Sequence, residues 1–242
     1  MRSNGFWRSA AARRVRQLAE IQDIDLGIAK IAEDLMAGLN GPPTDLKALA
    51  TRLEVSDIRE DDEMLVAGEL RKLRNELIVF LLPGISKTRR RFTLAHELGH
   101  AFFENTGRRP NPSRELELIC DKFAAEFLMP RRQFISQAGS KPGIERIHEL
   151  CSMFDTGLQA TLGRVSDIYQ YRALEVLDDE VVWRKRLGVN VLGQVQRALN
   201  EVRDESGNDV VFLFERQGLR KWYFEWQELG TEDHRIGLLR PV

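Results

Sequence analysis

The stretch Arg91-Phe-Thr-Leu-Ala-His-Glu-Leu-Gly-His100 carries two of the chain's four histidines, four residues apart. On an α-helix that spacing puts both imidazoles on one face, within reach of a single divalent ion. Glu97 lies about 100° further round the helix than His96, placed to reach a water on the metal rather than the metal itself. In that arrangement the metal acidifies the water and Glu97 accepts its proton. Phe92, Leu94, Leu98, Phe102 and Phe103 surround the motif with apolar side chains. A buried helix with these polar groups needs something to satisfy them, and a metal does so. The expected cofactor is Zn2+.

A hydrolytic zinc site takes three protein ligands and keeps one position open. No His or Cys follows soon after His100, so a third histidine close behind the motif is excluded. The next helix offers Glu115 and Glu117. Glu117 is the better third ligand because Asp121 lies four residues later on the same face, where it can accept the free imidazole N–H of a ligating His and fix its tautomer. Glu115 has Ile119 at the corresponding place. Cys120, among Leu116, Phe123 and Phe127, reads as a buried core thiol. His148 and His234 have no ligand spacing.

Working outward, Val15, Leu18, Ile21, Ile24, Ile28, Ile31 and Leu35 recur at three- or four-residue intervals, which predicts one amphipathic helix. Asn40-Gly41-Pro42-Pro43 stops it, and Thr44 or Asp45 can cap a shorter helix to about Leu53. Met64-Leu-Val-Ala67 and Glu76–Leu82 predict a hairpin around a charged turn at Arg71–Asn75. The second of these strands leads towards the motif helix, expected over Arg91–Glu104, and is expected to be a sheet edge to which a peptide adds as an extra strand. Ser113 can cap the next helix, which ends at Met129 because Pro130 lacks the backbone donor to continue it. Further helices are predicted at about 144–153 and 158–175. Val210, Phe212 and Phe214 alternate, as do Trp222, Phe224 and Trp226, around a turn near Gln217-Gly218, which predicts an aromatic hairpin. One face of it, with Tyr223, is a candidate docking surface; otherwise its rings build a small core.

The 242 residues hold 36 Lys and Arg against 37 Asp and Glu, a net charge of −1 that exerts no global pull towards nucleic acid or anionic membrane. The charge is nevertheless blocked: Arg2, Arg8, Arg13, Arg14 and Arg16 precede the first acid, Glu20. No apolar run approaches the ~18 residues of a membrane span, and two cysteines make no disulfide framework, so a cytoplasmic protein is expected. The expected fold class is α+β, divided as an N-terminal helical segment over 1–40, a catalytic core over 41–135, a helical segment over 136–175 and a small β-rich region over 176–242.

The motif stretch, followed by Glu117-Leu-Ile-Cys-Asp-Lys-Phe-Ala-Ala-Glu-Phe-Leu-Met-Pro130, resembles the ImmA/IrrE family of metallopeptidases over about residues 40–170. The resemblance implies a zincin-like, gluzincin-type core with His96, His100 and Glu117 on zinc, Glu97 as base and Asp121 behind a ligand. It also implies site-specific cleavage of a helix-turn-helix transcriptional repressor or similar regulatory protein. The alternative is a non-catalytic module of the same fold that docks on a repressor. Gly157 stands where a Ser would cap a helix-turn-helix start, so no direct nucleic-acid binding is expected.

Overall fold

The computed structural model describes residues 7–178, 180–188, 191–195, 197, 206–215, 218–230 and 234–242, with the backbone alone for 208–215 and 218–219. They fall into two compact units, Met1–Gln137 with Ser152–Gly157, and Ala138–Cys151 with Leu158–Val242. Helices and strands are mixed in an α+β arrangement.

The first unit opens with α1 (Ala10–Ala19) and α2 (Ile24–Met36) where one helix was expected. Glu20 adopts a left-handed conformation with φ 57 that ends α1, and the Asp23 carboxylate accepts from Leu26 N at 3.0 Å to start α2. The apolar period runs through the break because the two helices fold back on each other and bury most of the same stripe, with Leu18 left exposed. Asp45 caps α3 (Leu46–Arg52), accepting from Lys47 N and Ala48 N.

A three-stranded sheet follows, with β1 (Val55–Glu60), β2 (Gly68–Leu73) and β3 (Glu76–Leu81) in the order β1-β3-β2. β1 runs parallel to β3 and β2 antiparallel to it. Three expectations are corrected here. Met64–Ala67 is not a strand; β2 is the polar segment after it, and the turn is Arg74-Asn75, both at positive φ, as a two-residue hairpin turn requires. β1, with Val55 as its one buried residue, has no alternation to betray it. Above all, the strand before the motif helix is central and not a sheet edge. Its nearly continuous apolar run suits burial on both faces, whereas the polar strands β1 and β2 take the two edges.

The motif helix α4 (Lys87–Asn105) begins four residues earlier than expected, capped by Ser86, whose hydroxyl accepts from Arg89 N at 3.3 Å. Cations in a first turn oppose the helix dipole. Here Lys87 pairs with Asp155 at 2.8 Å, Arg90 with Glu60 at 2.8 Å and Arg91 with Asp155 at 3.4 Å. The basic run is thus a set of internal ties. Ser113 caps α5 (Arg114–Leu128), which ends at Met129 before Pro130. α6 (Arg131–Ala138) follows directly.

The second unit holds α7 (Ile144–Phe154), up to Cys151, α8 (Leu158–Tyr169) and a five-stranded sheet, β4 (Arg172–Leu177), β5 (Glu180–Lys185), β6 (Ser206–Glu215), β7 (Gly218–Glu228) and β8 (His234–Pro241). Its order is β5-β4-β8-β7-β6, antiparallel throughout. The helix expected to reach 175 stops at Tyr169, where Gln170 takes φ 62, and the strands begin at Arg172. Trp222 and Phe224 join Leu174, Val176, Leu187, Val195 and Leu239 in a buried cluster. The opposite face of β7 presents Tyr223 beneath the Arg240 guanidinium, 4.4 Å from the ring centroid. The aromatic stripe builds this core; the expected turn at Gln217 and the side chains of Val210, Phe212 and Phe214 lie outside the described residues. No helix among the described residues is long and apolar enough to cross a membrane.

α4 and α5 form the main helix pair of the first unit, with Phe102, Phe103, Phe123 and Phe127 stacked between them; Phe102 and Phe123 lie 4.9 Å apart. Gly99 sets their spacing. A Cβ there would stand 3.2 Å from Cys120 Cα and 3.3 Å from Phe123 Cβ, and neither backbone can swing aside. Gly99→Ala gains up to about 1 kcal/mol of helix propensity. Overpacking costs about 1–3 kcal/mol, so the expected net result is a loss of about 1 kcal/mol, read as a thermal midpoint lowered by about 2–4 °C. A raised midpoint would mean that the helix contact is slacker than described.

Candidate metal centre

α4 places His96 and His100 on one face, and α5 crosses it with Glu117. Their ligand atoms all lie within 4.8 Å of one another. The individual separations are 3.2 Å from His96 Nε2 to His100 Nε2, 3.2 Å from His96 Nε2 to Glu117 Oε2, and 3.5 Å from His100 Nε2 to Glu117 Oε2. Donors about 2.0–2.1 Å from a tetrahedral ion stand roughly 3.3–3.4 Å apart, so the triangle has the dimensions of three tetrahedral ligands with a fourth position over.

The surroundings fit a cation as well. His96 Nδ1 faces Asp121 Oδ1 at 2.9 Å. With its proton there, Nε2 turns a lone pair towards His100 and Glu117, an arrangement a central cation satisfies. Among the described residues, His100 Nδ1 is buried without a hydrogen-bond partner. Burial, together with the neighbouring His96, pushes His100 down to about 4, which keeps it neutral and able to coordinate at physiological pH. Burial also works against a charge on His96, but Asp121, with Glu97 and Glu117, outweighs it and lifts that imidazole above 6.5. The Glu117 and Asp121 side chains are about half exposed, at 50% and 49%, so the centre opens to solvent on the α5 side.

Glu97 is only 7% exposed. Burial lifts its carboxyl above the usual 4.5, against the charge of His96 and a hydrogen bond to Oε2 from Leu70 N at 2.9 Å. That donor belongs to β2, so the edge strand touches the acid beside the ligand pair. The sequence gives no sign of it, because a main-chain N–H carries no residue signature. Gly68 permits the approach: a Cβ there would collide with Thr93 Cγ2 of α4 at 2.3 Å. Arg109, in the loop between α4 and α5, adds a positive charge that acts on both Glu97 and His100. Its loop position likewise left no pattern.

Other candidates are engaged elsewhere. Glu115 points away and accepts from Ser9 N at 2.8 Å and Arg8 N at 3.3 Å. Cys120 is buried, and burial holds its thiol protonated, far from a thiolate ligand. In the second unit, His148 meets Gln227 and His234 meets Glu175.

Residues 49–166 match the model of Peptidase_M78, the IrrE N-terminal-like domain. No curated protein matches the sequence. Among solved structures, a Mycobacterium tuberculosis transcriptional regulator is similar with a TM-score of 0.55 at 16% identity, covering 96% of this chain and 79% of that one. At that identity the likeness speaks for the fold alone.

Metal binding requires His96 to give up its proton. Because its proton affinity is raised above the ordinary 6.5, metal affinity is expected to start falling with pH above 6.5. Asp121→Asn removes the charge that raises it, so the onset shifts to lower pH, while affinity at pH 8 drops on the order of 10–100-fold. Chelator competition across pH 5–8 measures both; an unchanged onset would contradict the role given to Asp121.

Proposed function

Since residues 49–166 belong to the ImmA/IrrE family, through its Peptidase_M78 domain, we propose that this protein is a zinc-dependent metalloendopeptidase with His96, His100 and Glu117 as metal ligands and Glu97 as general base. The observation that carries the reading is the tetrahedral-sized triangle of donors beside a buried acid. A purely structural zinc site fills all four positions and has no use for an adjacent base. Bound zinc supplies Lewis acidity, polarising a peptide carbonyl and lowering the pKa of water to about 7.

The chain's own groups do the rest. The Leu70 N–H holds Glu97 Oε2, leaving Oε1 free to take a proton from the attacking water. Burial raises the proton affinity of this carboxylate, which improves it as a base. The same proton then goes to the leaving amine. Asp121 fixes the His96 ring through Nδ1. A substrate in extended form pairs with the free edge of β2, whose Leu70 N–H already points to Glu97, and this brings its scissile carbonyl over the centre. An extended segment is demanded by that pairing, and the substrate class is a cytoplasmic regulatory protein, a helix-turn-helix repressor in particular. The second reading, a regulator that docks without cutting, draws on the fold shared with a transcriptional regulator.

Glu97→Gln separates the two. It is expected to keep zinc at the wild-type stoichiometry and lose at least about 100-fold in turnover, as removal of a general base does. Glu117→Ala is expected to lose zinc itself. Incubation of the zinc-loaded protein with casein and with a helix-turn-helix repressor should give slow cleavage of the repressor at one site and little of casein. Digestion of casein at many sites would make it a general peptidase. Equal, tight repressor binding by wild type and Glu97→Gln with no cleavage would favour the docking reading.

A further inference from the structure

The Arg-rich N-terminus has a place beside the metal centre. Arg14, on α1, spans two carbonyls: Nη1 donates to Phe103 O at 3.0 Å and Nη2 to Arg108 O at 2.7 Å. Phe103 is in the last turns of α4, three residues beyond His100, and Arg108 is in the loop that leads to α5. The start of α1 is fastened separately. Arg8 N and Ser9 N both donate to the Glu115 carboxylate, two residues before Glu117. Ser9 in turn caps α1 by accepting from Ala12 N at 3.1 Å. Arg16 closes the segment on itself, donating to Trp7 O at 2.9 Å and Gln22 O at 3.0 Å.

These ties bridge the two elements that supply the ligands. α4 brings both histidines on one rigid helix, so their mutual position needs no help. Glu117 comes from a different helix, across an eight-residue loop over 106–113 with no regular structure of its own. Gly99 fixes how closely the helices pack, but not how α5 sits along α4 at the loop end. Arg14 of α1 grips the α4 end and the loop, and the main-chain N–H groups of Arg8 and Ser9, just before that helix, hold Glu115 at the α5 end. Arginine suits the task because its planar fork reaches two acceptors at once. Glu115 lies on the opposite side of the first turn of α5 from Glu117, so its tie and the metal do not compete.

We propose that α1 and the residues entering it form a clasp that holds Glu117 in register with His96 and His100, with Arg14 and Glu115 as positioning residues. The clasp rests on the metal centre proposed above and adds a control over it: a change that lifts α1 loosens zinc without touching a ligand.

The sign of the effect distinguishes positioning from charge. Loss of Arg14 removes a positive charge, which by electrostatics alone strengthens cation binding; loss of Glu115 removes a negative one and weakens it. A clasp weakens zinc in both cases. The test is the zinc dissociation constant of the full chain, by competition with a chromophoric chelator at pH 7.5, well below the midpoint of thermal unfolding of each variant. Arg14→Ala and Glu115→Ala are each expected to weaken zinc about 10-fold, the lower end of the effect of outer partners at metal sites. Glu115→Gln keeps an acceptor for Ser9 N and is expected to stay within about 3-fold of wild type. Arg14→Lys, which keeps the charge and the stem but reaches one carbonyl, is expected to fall between. Wild-type affinity in Arg14→Ala and Glu115→Ala, even with lowered midpoints, would reduce the ties to general stability and overturn the clasp alone. Failure of the wild type to bind zinc more tightly than His100→Ala would overturn the metal centre and the clasp together.

Discussion

α4 and α5 approach so closely at Gly99 that one added methyl group would press on the main chain of Cys120, and the donor cluster of His96, His100 and Glu117 depends on that contact. Two histidines four residues apart are aligned by any helix. A third ligand from another helix is aligned only if the helices sit at a fixed spacing and a fixed register. The phenylalanines Phe102, Phe103, Phe123 and Phe127 hold the spacing by filling the seam, and Gly99 keeps it short. A close-packed seam transmits small displacements, so the donor triangle is as exact as the packing beneath it.

The electrostatics follow from the same burial. A buried carboxylic acid, two imidazoles and two half-exposed carboxylates lie together on the α4–α5 face. Unpaired, such groups would cost several kcal/mol. The fold answers each separately: Asp121 takes His96, a strand N–H takes Glu97, and desolvation keeps His100 uncharged. What is left over is a set of lone pairs pointing at one place. That remainder, rather than any single residue, is the physical argument for a cation. The edge strand takes part because Gly68 lets β2 lie on α4, which brings the Leu70 N–H onto Glu97.

Many of the chain's basic residues are tied to other groups of the same chain, several of them at the surface. Lys87, Arg90 and Arg91 pair with acids around the start of α4, and Arg14 and Arg16 spend their donors on carbonyls. Composition cannot reveal this, because a guanidinium in water and one on a carbonyl look alike in sequence. The aromatic stripe in the second unit went the other way: Trp222 and Phe224 sit in a core, as alternating large side chains in a sheet usually do.

What the sequence determined by itself is everything that rests on local periodicity and capping. The i, i+4 histidines, the Ser113 cap, the stop at Pro130 and the placing of Glu117 and Asp121 on one face of α5 all follow from helix geometry, which a few neighbouring residues dictate. Tertiary structure decided the rest. Which strand is central, where the N-terminal helix breaks, and what holds Glu115 depend on partners far along the chain: β1 beside β3, α2 against α1, and Ser9 for Glu115. Strand β2 shows the reason most plainly. Its residues are polar and unpatterned, and it becomes a strand beside the acid only because β3 offers it an edge and α4 leaves room at Gly68. Long-range contacts of that kind are selected by packing energy over the whole unit, and no window of sequence contains them.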